Sequence, residues 1–440
     1  MSLAAVRTVL IVAASASALS RSAARGGWRV VAIDGFGDED TEQNTIALCR
    51  VPYGASGFDT GALEAAIDGS PPTDAVIYGG GVDTSPVVLE RLFRTRKVFG
   101  NDPATVRSLK DPACFFRLLR DCDIPFPEVR FDPPPQAEGW LLKSGCSEGG
   151  AGVRFATNPF VGNELGPQCG PRRDEFQGGD EHQFAGSERG PHGGPRRGES
   201  QGWDEQSRLP GRETYFQRYL PGNAMSALFL ADGKEAGILG FNTLWTESFE
   251  PSRPFRFAGA INRAGLDTAQ RETVHRFVNR ITRAAGLRGL NSLDFLLDGA
   301  RMPRVLEVNP RPSATMSLYE DDFPTGLVHL HVRACEGRLP EQYPRSRRVR
   351  AFRILYAADE VEITESMDWP TWCRDRPRPG QRIERRQPLC SIVAEGVDEA
   401  TVHALIEARS QAVARRLPAA LRWAQAGVQP SASSPSRTCL

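Results

Sequence analysis

Apolar runs broken by glycine and proline set out the first third of the chain. Thr8–Ala13 (TVLIVA) reads as a buried strand. Ser20–Arg25 is compatible with a helix, Gly26-Gly27 stops it, and Trp28–Ile33 (WRVVAI) is a second buried strand ending at Asp34. Strand, helix, strand with an acid closing the second strand is the opening of a parallel βαβ unit. Asp74–Tyr78 and Lys97–Gly100 read as two more short strands, so residues 1–101 are expected to form a small parallel α/β domain. The same opening has a rival reading. Arg7 precedes TVLIVAASASALS, and Ala16-Ser17-Ala18 resembles a signal-peptidase site; the strand–helix–strand continuation favours the folded alternative. A dinucleotide turn is not present, because the loop after the first strand reads Ala14-Ser15-Ala16-Ser17 rather than GxGxxG.

Beyond residue 101 the periods alternate between strand and helix. Asp111-Pro112 opens a helix with Phe115, Leu118, Leu119 and Cys122 on its apolar face. Trp140–Lys143, the glycine-rich loop Ser144–Gly152 and Val153–Ala156 read as a hairpin. Thr214–Tyr219 and Met225–Ala231 follow as strands, then a helix over Asp267–Ala285 ended by Gly286, then strands Ser292–Leu297 and Arg304–Val308. Arg350–Tyr356 starts a further β-rich piece, interrupted by a Pro-rich turn over Arg376–Gly380 and closed by a helix over Thr401–Leu417. The expected divisions are 1–101, 102–335, 345–420 and a Ser/Pro-rich tail over 425–440, giving α/β and α+β parts. Residues 160–211 stand apart. They hold 12 Gly but only Val161, Leu165 and Leu209 as aliphatics, too little apolar surface to offset ordering entropy, so the sequence predicts a disordered insertion.

Composition narrows the classes. A length of 440 residues implies two to four domains. Lys plus Arg equals Asp plus Glu at 54 each, which argues against nucleic-acid binding. No apolar run is long enough to span a membrane. The nine Cys are scattered, without CxxC pairs or nearby His, and read as reduced thiols of a cytoplasmic protein. Of the 54 basic residues only Lys97, Lys110, Lys143 and Lys234 are lysine. A surface cation can be either residue, but a slim ammonium among phosphates is not replaced by a guanidinium fork, so each lysine is a candidate for a specific role.

Candidate chemistry gathers in three places. Asp294 lies on one expected strand, and Glu307 and Asn309 project from one face of the next, with Arg311 just past its end. If the strands pair antiparallel, two carboxylates and an amide oxygen suit a Mg²⁺ that already carries phosphate oxygens; a salt-bridged strand pair is the plain alternative. Lys143 precedes the loop containing Gly149 and Gly150, whose freed amides suit a polyphosphate, or merely a flexible turn. Lys110 stands beside the expected helix start. Cys146 lies in the loop without a His placed to activate it.

Together Lys110, Lys143 with its glycine-rich flap, Gln217-Arg218-Tyr219-Leu220 before a turn, and Asp294 thirteen residues ahead of Glu307-x-Asn309-x-Arg311 resemble the ATP-grasp superfamily over residues 1–335, the insertion excepted. The resemblance implies a pre-ATP-grasp α/β domain followed by an ATP-grasp fold. It also implies an ATP-dependent ligase that joins a small-molecule carboxylate and an amine through an acyl phosphate. By it, Lys110, Lys143, Gly149 and Gly150 hold phosphates, Gln217 to Leu220 hold adenine through backbone groups, and Asp294, Glu307 and Asn309 hold Mg²⁺ or Mn²⁺. Arg311 and Lys143 carry the transfer. Relatives often place an acid after the hinge turn for the ribose; here Ser226 is the nearest substitute. Asp34-Gly35-Phe36-Gly37-Asp38, Asn309-Pro310-Arg311-Pro312-Ser313 and the stretch from Trp369 through Asp375-Arg376-Pro377 to Cys390 resemble a carboligase branch associated with tetrahydromethanopterin- and methanofuran-type cofactor genes. A biotin-carboxylase-like enzyme and a nucleotide-binding subunit without turnover are the rival expectations. A homodimer is compatible with the resemblance. Deleting residues 165–208 is expected to shift the melting temperature by only a few degrees, since little apolar surface is lost; a large drop in a thermal melt shows that the segment packs.

Overall fold

The computed structural model describes residues 7–54, 57–145, 148–156, 214–249, 254–344, 346–364 and 367–416. The expected insertion at 160–211, the tail at 425–440 and Cys146 lie outside the described residues. The first domain is a parallel sheet of β1 (Thr8–Ala13), β2 (Arg29–Asp34), β3 (Ala47–Arg50), β4 (Ala75–Tyr78) and β5 (Val98–Phe99), in the order β3-β2-β1-β4-β5. Its strands are near-continuous Val, Ile and Leu because helices cover both faces. The sequence reading did not include β3, whose side chains are partly or fully exposed and show no apolar run. Helix α1 (Ser17–Arg25) begins three residues earlier than expected; Ala16 at its N-cap is pinned by Asp34, whose Oδ2 accepts from the Ala16 amide at 2.6 Å. Helices α2 (Glu39–Gln43), α3 (Thr60–Gly69) and α4 (Pro86–Thr95) complete the layer.

The second part begins with two abutting helices, α5 (Pro103–Lys110) and α6 (Pro112–Asp121). Lys110 therefore stands beside a helix start as expected, directly before the Asp111 N-cap, and it also ends the preceding helix, which the sequence reading did not include. Asp111 closes α5 and caps α6, its carboxylate accepting from the Cys114 amide at 2.7 Å. A small antiparallel sheet follows: β6 (Val129–Arg130), β7 (Trp140–Ser144), β8 (Arg154–Phe155) and β9 (Thr214–Arg218), in the order β8-β7-β9-β6.

The large antiparallel sheet contains β10 (Met225–Asp232), β11 (Ala236–Glu247), β12 (Arg256–Ile261), β13 (Arg288–Leu297), β14 (Pro303–Asn309), β15 (Val349–Tyr356), β16 (Cys373–Arg374) and β17 (Pro388–Gly396). Their order is β14-β13-β10-β11-β12-β15-β17-β16. Helix α7 (Thr268–Ala285) packs on it through Val274, Phe277, Val278 and Ile281. It starts at a capping box between Asp267 and Gln270 and stops at Gly286, which is left-handed at φ 71°. Strands β11 and β12 were not read from the sequence, since their mixed polar and apolar residues show no clean period. The C-terminal β-rich segment builds a two-stranded antiparallel sheet of its own from Val361–Glu362 and Arg382–Ile383, and it also extends the large sheet. Pairing of β12 with β15 carries the large sheet straight into it, while its apolar side chains and those of α9 (Glu399–Arg416) form a separate cluster around Val349, Ile392 and Val402.

Two buried polar residues lock the first domain to the second. Asn101, 2% exposed, donates to Asn291 Oδ1 and the Pro310 carbonyl and accepts from the Arg288 amide, with bonds of 2.7–2.8 Å. His331, on α8 (Leu327–Cys335), accepts from the Leu290 amide through Nδ1 and meets the Phe99 carbonyl through Nε2. The His331 ring must stay neutral, and burial pushes its pKa down to about 4. The unfolded chain protonates this ring near 6.5, so it binds the extra proton first and stability falls as pH drops from 6.5 towards 4. The term amounts to about 3 kcal/mol at its limit. Chemical denaturation from pH 7 to 4 should show this slope, and His331→Gln should remove it. An unchanged slope in the variant contradicts the assignment.

Candidate active site

The acidic set is built by sheet register. Strands β13 and β14 run antiparallel with Asp294 opposite Glu307 and Ser292 opposite Asn309, and a bulge follows Asp294. Asn309 lies between the acids: its Nδ2 donates to Asp294 Oδ2 at 3.3 Å and Glu307 Oε1 at 3.4 Å, and its Oδ1 accepts from Lys110 Nζ at 3.3 Å. Burial, reinforced by Glu307, pushes Asp294 well above the usual carboxylate range. Burial opposes ionisation of Glu307 too, but Lys110 and Lys143 outweigh it and hold that carboxyl low. Two facing carboxyls that burial keeps from ionising together are what a hard divalent cation relieves, so the donor set fits Mg²⁺. Among the described residues no group of three or more His, Cys, Asp or Glu could hold a metal. Two acids and an amide suit a cation that brings phosphate oxygens as its remaining ligands.

The cationic set faces the acids and is held by the first domain. Asp83, on the loop after β4, has a fully buried side chain. It stands 3.4 Å from Lys110 Nζ and 3.5 Å from Arg311 Nε. Burial disfavours the Asp83 charge, yet Lys110 and Arg311 override it and lower the pKa. Lys110 responds in kind: burial opposes its charge, and Asp83 with Glu307 holds it above the ordinary value. Glu148, from the glycine-rich loop, reaches Arg311 Nη2 at 3.3 Å and accepts from the Tyr53 hydroxyl at 3.0 Å. The loop can lie this close because Gly149 and Gly150 take φ of 59° and 73°, with the Gly149 carbonyl accepting from the Phe257 amide at 2.9 Å. A side chain at Gly150 would run into the Phe255 carbonyl.

Lys143 lies along the other wall. It is 9% exposed; its Nζ donates to Gln217 Oε1 at 3.3 Å and stands 5.8 Å from the Tyr215 ring centroid. Register explains the grouping, since Lys143 pairs with Tyr215 and Leu141 with Gln217 across β7 and β9. In the hinge, the Arg218 and Tyr219 amides are spent on the Glu128 and Gly139 carbonyls, and the Arg218 guanidinium stacks 5.6 Å over Trp140. Phe155, Tyr219 and Phe255 form an aromatic cluster beside it, with centroids 5.4–6.1 Å apart. Ser226 follows the turn after Leu220 as the second residue of β10. It sits in β10 directly across from Asp294, 1% exposed, with its oxygen accepting from Asn242 Nδ2 at 3.0 Å.

Lys110, Lys143, Gly149, Gly150, Gln217 to Leu220, Ser226, Asp294, Glu307, Asn309 and Arg311 all line one cavity of about 2150 Å³. The sequence reading did not include Asp83, Tyr53 or Glu148. Glu148 sits inside the glycine-rich loop already singled out, and Asp83 follows the Gly79-Gly80-Gly81 run at a parallel strand's C-terminal end; both positions were available as signals. Tyr53 offered none, lying in a short hairpin without a motif.

This arrangement, a parallel α/β domain joined to an antiparallel sheet with its acids under a glycine-rich flap, is the ATP-grasp fold. Residues 193–315 match a family described as the ATP-grasp domain. Biotin carboxylase from Campylobacter jejuni, solved as a β,γ-ATP complex, superposes with a TM-score of 0.64 at 14% identity, covering 94% of this chain and 92% of that one. N5-carboxyaminoimidazole ribonucleotide synthetase from Thermotoga maritima gives 0.58 at 14% identity, with coverages of 92% and 98%. L-amino acid ligase from Bacillus licheniformis gives 0.61 at 12% identity, with 92% and 97%. No curated protein matches by sequence. Among the described residues no helix is long and apolar enough to cross a membrane.

The lysines provide a direct check. Lys143→Arg should weaken ATP binding at least ~tenfold, about 1.4 kcal/mol, because the planar fork does not fit between Gln217 and Tyr215. Lys234, exposed in the turn after β10, should accept Arg without effect. Calorimetric titration of the two variants side by side decides; equal affinities remove the case for a phosphate role.

Proposed function

We propose that this protein is a cytoplasmic ATP-dependent ligase that activates a small-molecule carboxylate as an acyl phosphate and transfers it to an amine. The observation that carries this reading is the convergence of Lys110, Lys143 and Arg311 with Asp294, Glu307 and Asn309 on one cavity. The neighbours support it: one is solved with a β,γ-ATP complex, another with magnesium ADP and bicarbonate, and a third is named an amino acid ligase. The cavity also exceeds the roughly 300–1,000 Å³ that holds one small ligand, leaving room for a nucleotide and a second substrate.

The residues divide the work by position. The hinge beside Phe155, Tyr219 and Phe255 takes the base. Lys143 and the Gly149-Gly150 amides take the phosphates nearest the flap, and Lys110 and Arg311 take the transferring end. Asp294, Glu307 and Asn309 would hold Mg²⁺, which supplies charge neutralisation on the polyphosphate when bound. Catalysis is then positioning and fixed electrostatics, with the flap keeping water from the acyl phosphate. This needs no protein nucleophile.

We further propose that the reaction serves assembly of a tetrahydromethanopterin- or methanofuran-type cofactor. Two of the three stretches that carry this resemblance, the first and the last, meet in space. Gln381 Nε2 donates to the Phe36 carbonyl at 3.1 Å, the Glu39 amide to the Arg376 carbonyl at 2.9 Å, and Arg376 pairs with Asp40 at 3.1 Å. Phe36, Asp38, Asp375 and Gln381 together wall the cavity away from the hinge. Thermal melts with ATP and Mg²⁺ against pterin- and furan-bearing carboxylates and amines test this placement; a response confined to bicarbonate would favour a biotin-carboxylase-like activity instead. Glu307→Gln should cut Mg²⁺-dependent ADP release at least ~tenfold, about 1.4 kcal/mol, with melting almost unchanged. Release retained within about threefold would refute the metal assignment.

A further inference from the structure

Away from the charged residues of the cavity, two cysteines meet in adjacent strands near the end of the chain. Strand β16 pairs antiparallel with β17, with Cys373 opposite Ile392 and Arg374 opposite Ser391. Side chains alternate along a strand, so Cys390, two residues before Ile392, projects on the same face as Cys373, one diagonal step away. Both are 1% exposed and belong to the cluster around Val349, Ile392 and Val402. Neither is in a disulfide, and the two thiols are hydrogen-bonded to each other. Their surroundings are unequal. The bond from Cys390, helped by Arg416, Arg376 and Arg374, holds the Cys373 thiol below its ordinary range against burial. The same bond, and then burial, pushes Cys390 well up. Burial also pushes up Cys114, Cys122 and Cys335. Cys373 is therefore the thiol that leans towards thiolate, the nucleophilic form, and a second thiol stands against it. Cys390 lies on the lining of the large cavity, which leads a molecule little larger than water to the pair.

We propose that Cys373 and Cys390 are a dithiol that hydrogen peroxide oxidises to a disulfide, and that closing the disulfide loosens the joint between the first domain and the last strands. The Cys373 thiolate attacks one peroxide oxygen. The S–O bond forms, the O–O bond breaks, and the departing hydroxide takes the proton that Cys373 gave up and leaves as water. The Cys390 sulfur then attacks the Cys373 sulfur. The S–S bond forms, the S–O bond breaks, and hydroxide leaves as water with the Cys390 proton. Peroxide gains two electrons and the thiol pair loses two. Diagonal neighbours in a sheet have Cα atoms about 7–8 Å apart, whereas a disulfide spans roughly 4.4–6.8 Å, so the bridge requires one strand to shift. Strand β16 is the one free to move, since it has two residues and stands at the edge of the large sheet. Two residues past Arg374, Arg376 holds the first domain. Its carbonyl accepts from the Glu39 amide at 2.9 Å, its amide donates to Asp40 at 3.0 Å, and its guanidinium pairs with Asp40 at 3.1 Å. A displacement of β16 falls directly on these bonds.

The full chain is treated with hydrogen peroxide, its remaining thiols are alkylated, and it is digested with trypsin. Cys373 is the single cysteine of tryptic peptide 354–374 and Cys390 that of peptide 387–409. The bridge is then read as these two peptides joined, about 2 Da lighter than their sum for the two hydrogens lost, and separated again by dithiothreitol. Cys390→Ser blocks the second step, so a sulfenic-acid reagent should label Cys373; in Cys373→Ser no label should appear on Cys390. If a serine variant does not melt cooperatively, the alanine variant takes its place, and the parent's joined peptides need neither. Hydrogen exchange at the Glu39 and Arg376 amides should run at least ~threefold faster in the oxidised parent than in the reduced one, and should not change in peroxide-treated Cys373→Ser. Peptides that stay unjoined under peroxide, a label that goes to Cys390 in Cys373→Ser, or joined peptides with unchanged exchange at both amides overturns the proposal.

Discussion

Burying charge is the constraint around which this molecule is arranged. Lys110, Lys143 and Arg311 share the cavity lining with Glu148, Asp294 and Glu307, and Asp83 backs Lys110 and Arg311, all largely withdrawn from water. An isolated charge in such a place costs several kcal/mol, so each must be compensated by a neighbour at short range. The compensation is uneven by construction. The cations keep their charge, Asp83 and Glu307 keep theirs, and Asp294 and Glu148 are driven towards the protonated form.

The backbone devices serve that lining. Antiparallel register places Asp294 against Glu307, and the bulge that follows lets the strands resume pairing without moving the acids. Asn101 fixes the Pro310 carbonyl one residue from Arg311, so the first domain reaches the site through a hydrogen bond as well as through Asp83. Left-handed glycines let the flap settle against the start of β12 while presenting Glu148 inward.

The chemistry that depends on sequence-local pattern was legible, and the chemistry that depends on the meeting of domains was not. Glu307 and Asn309 alternate along one strand, and Asp294 lies on the preceding one, so a period of two and a short connection suffice to bring them together. Lys143 at a strand end before glycines is equally local. Asp83 and Tyr53 act on residues more than two hundred positions away or on a flap a hundred positions on, and no local period encodes such distances. Fold elements divide in the same way. The long amphipathic α7 and the apolar β1 announce themselves, whereas β11 and β12 mix polar and apolar residues because one face lines the cavity.

Ser226 shows what packing adds to a position picked out by spacing. Counting from the turn after Leu220 puts it where a ribose ligand is expected. The sheet seats it across from Asp294, in a hydrogen-bond chain with Asn242 and Tyr319, on the lining of the cavity. The cavity's other wall, where the loop after β2 meets the Pro-rich turn near Arg376, is held by main-chain bonds and the Arg376–Asp40 pair. That wall of the cavity is therefore built jointly by the first domain and the last strands. The wall that carries Lys143, Asp294 and Glu307 is built by the second part of the chain, and Asp83 and Tyr53 reach the charged residues beside it from the first domain.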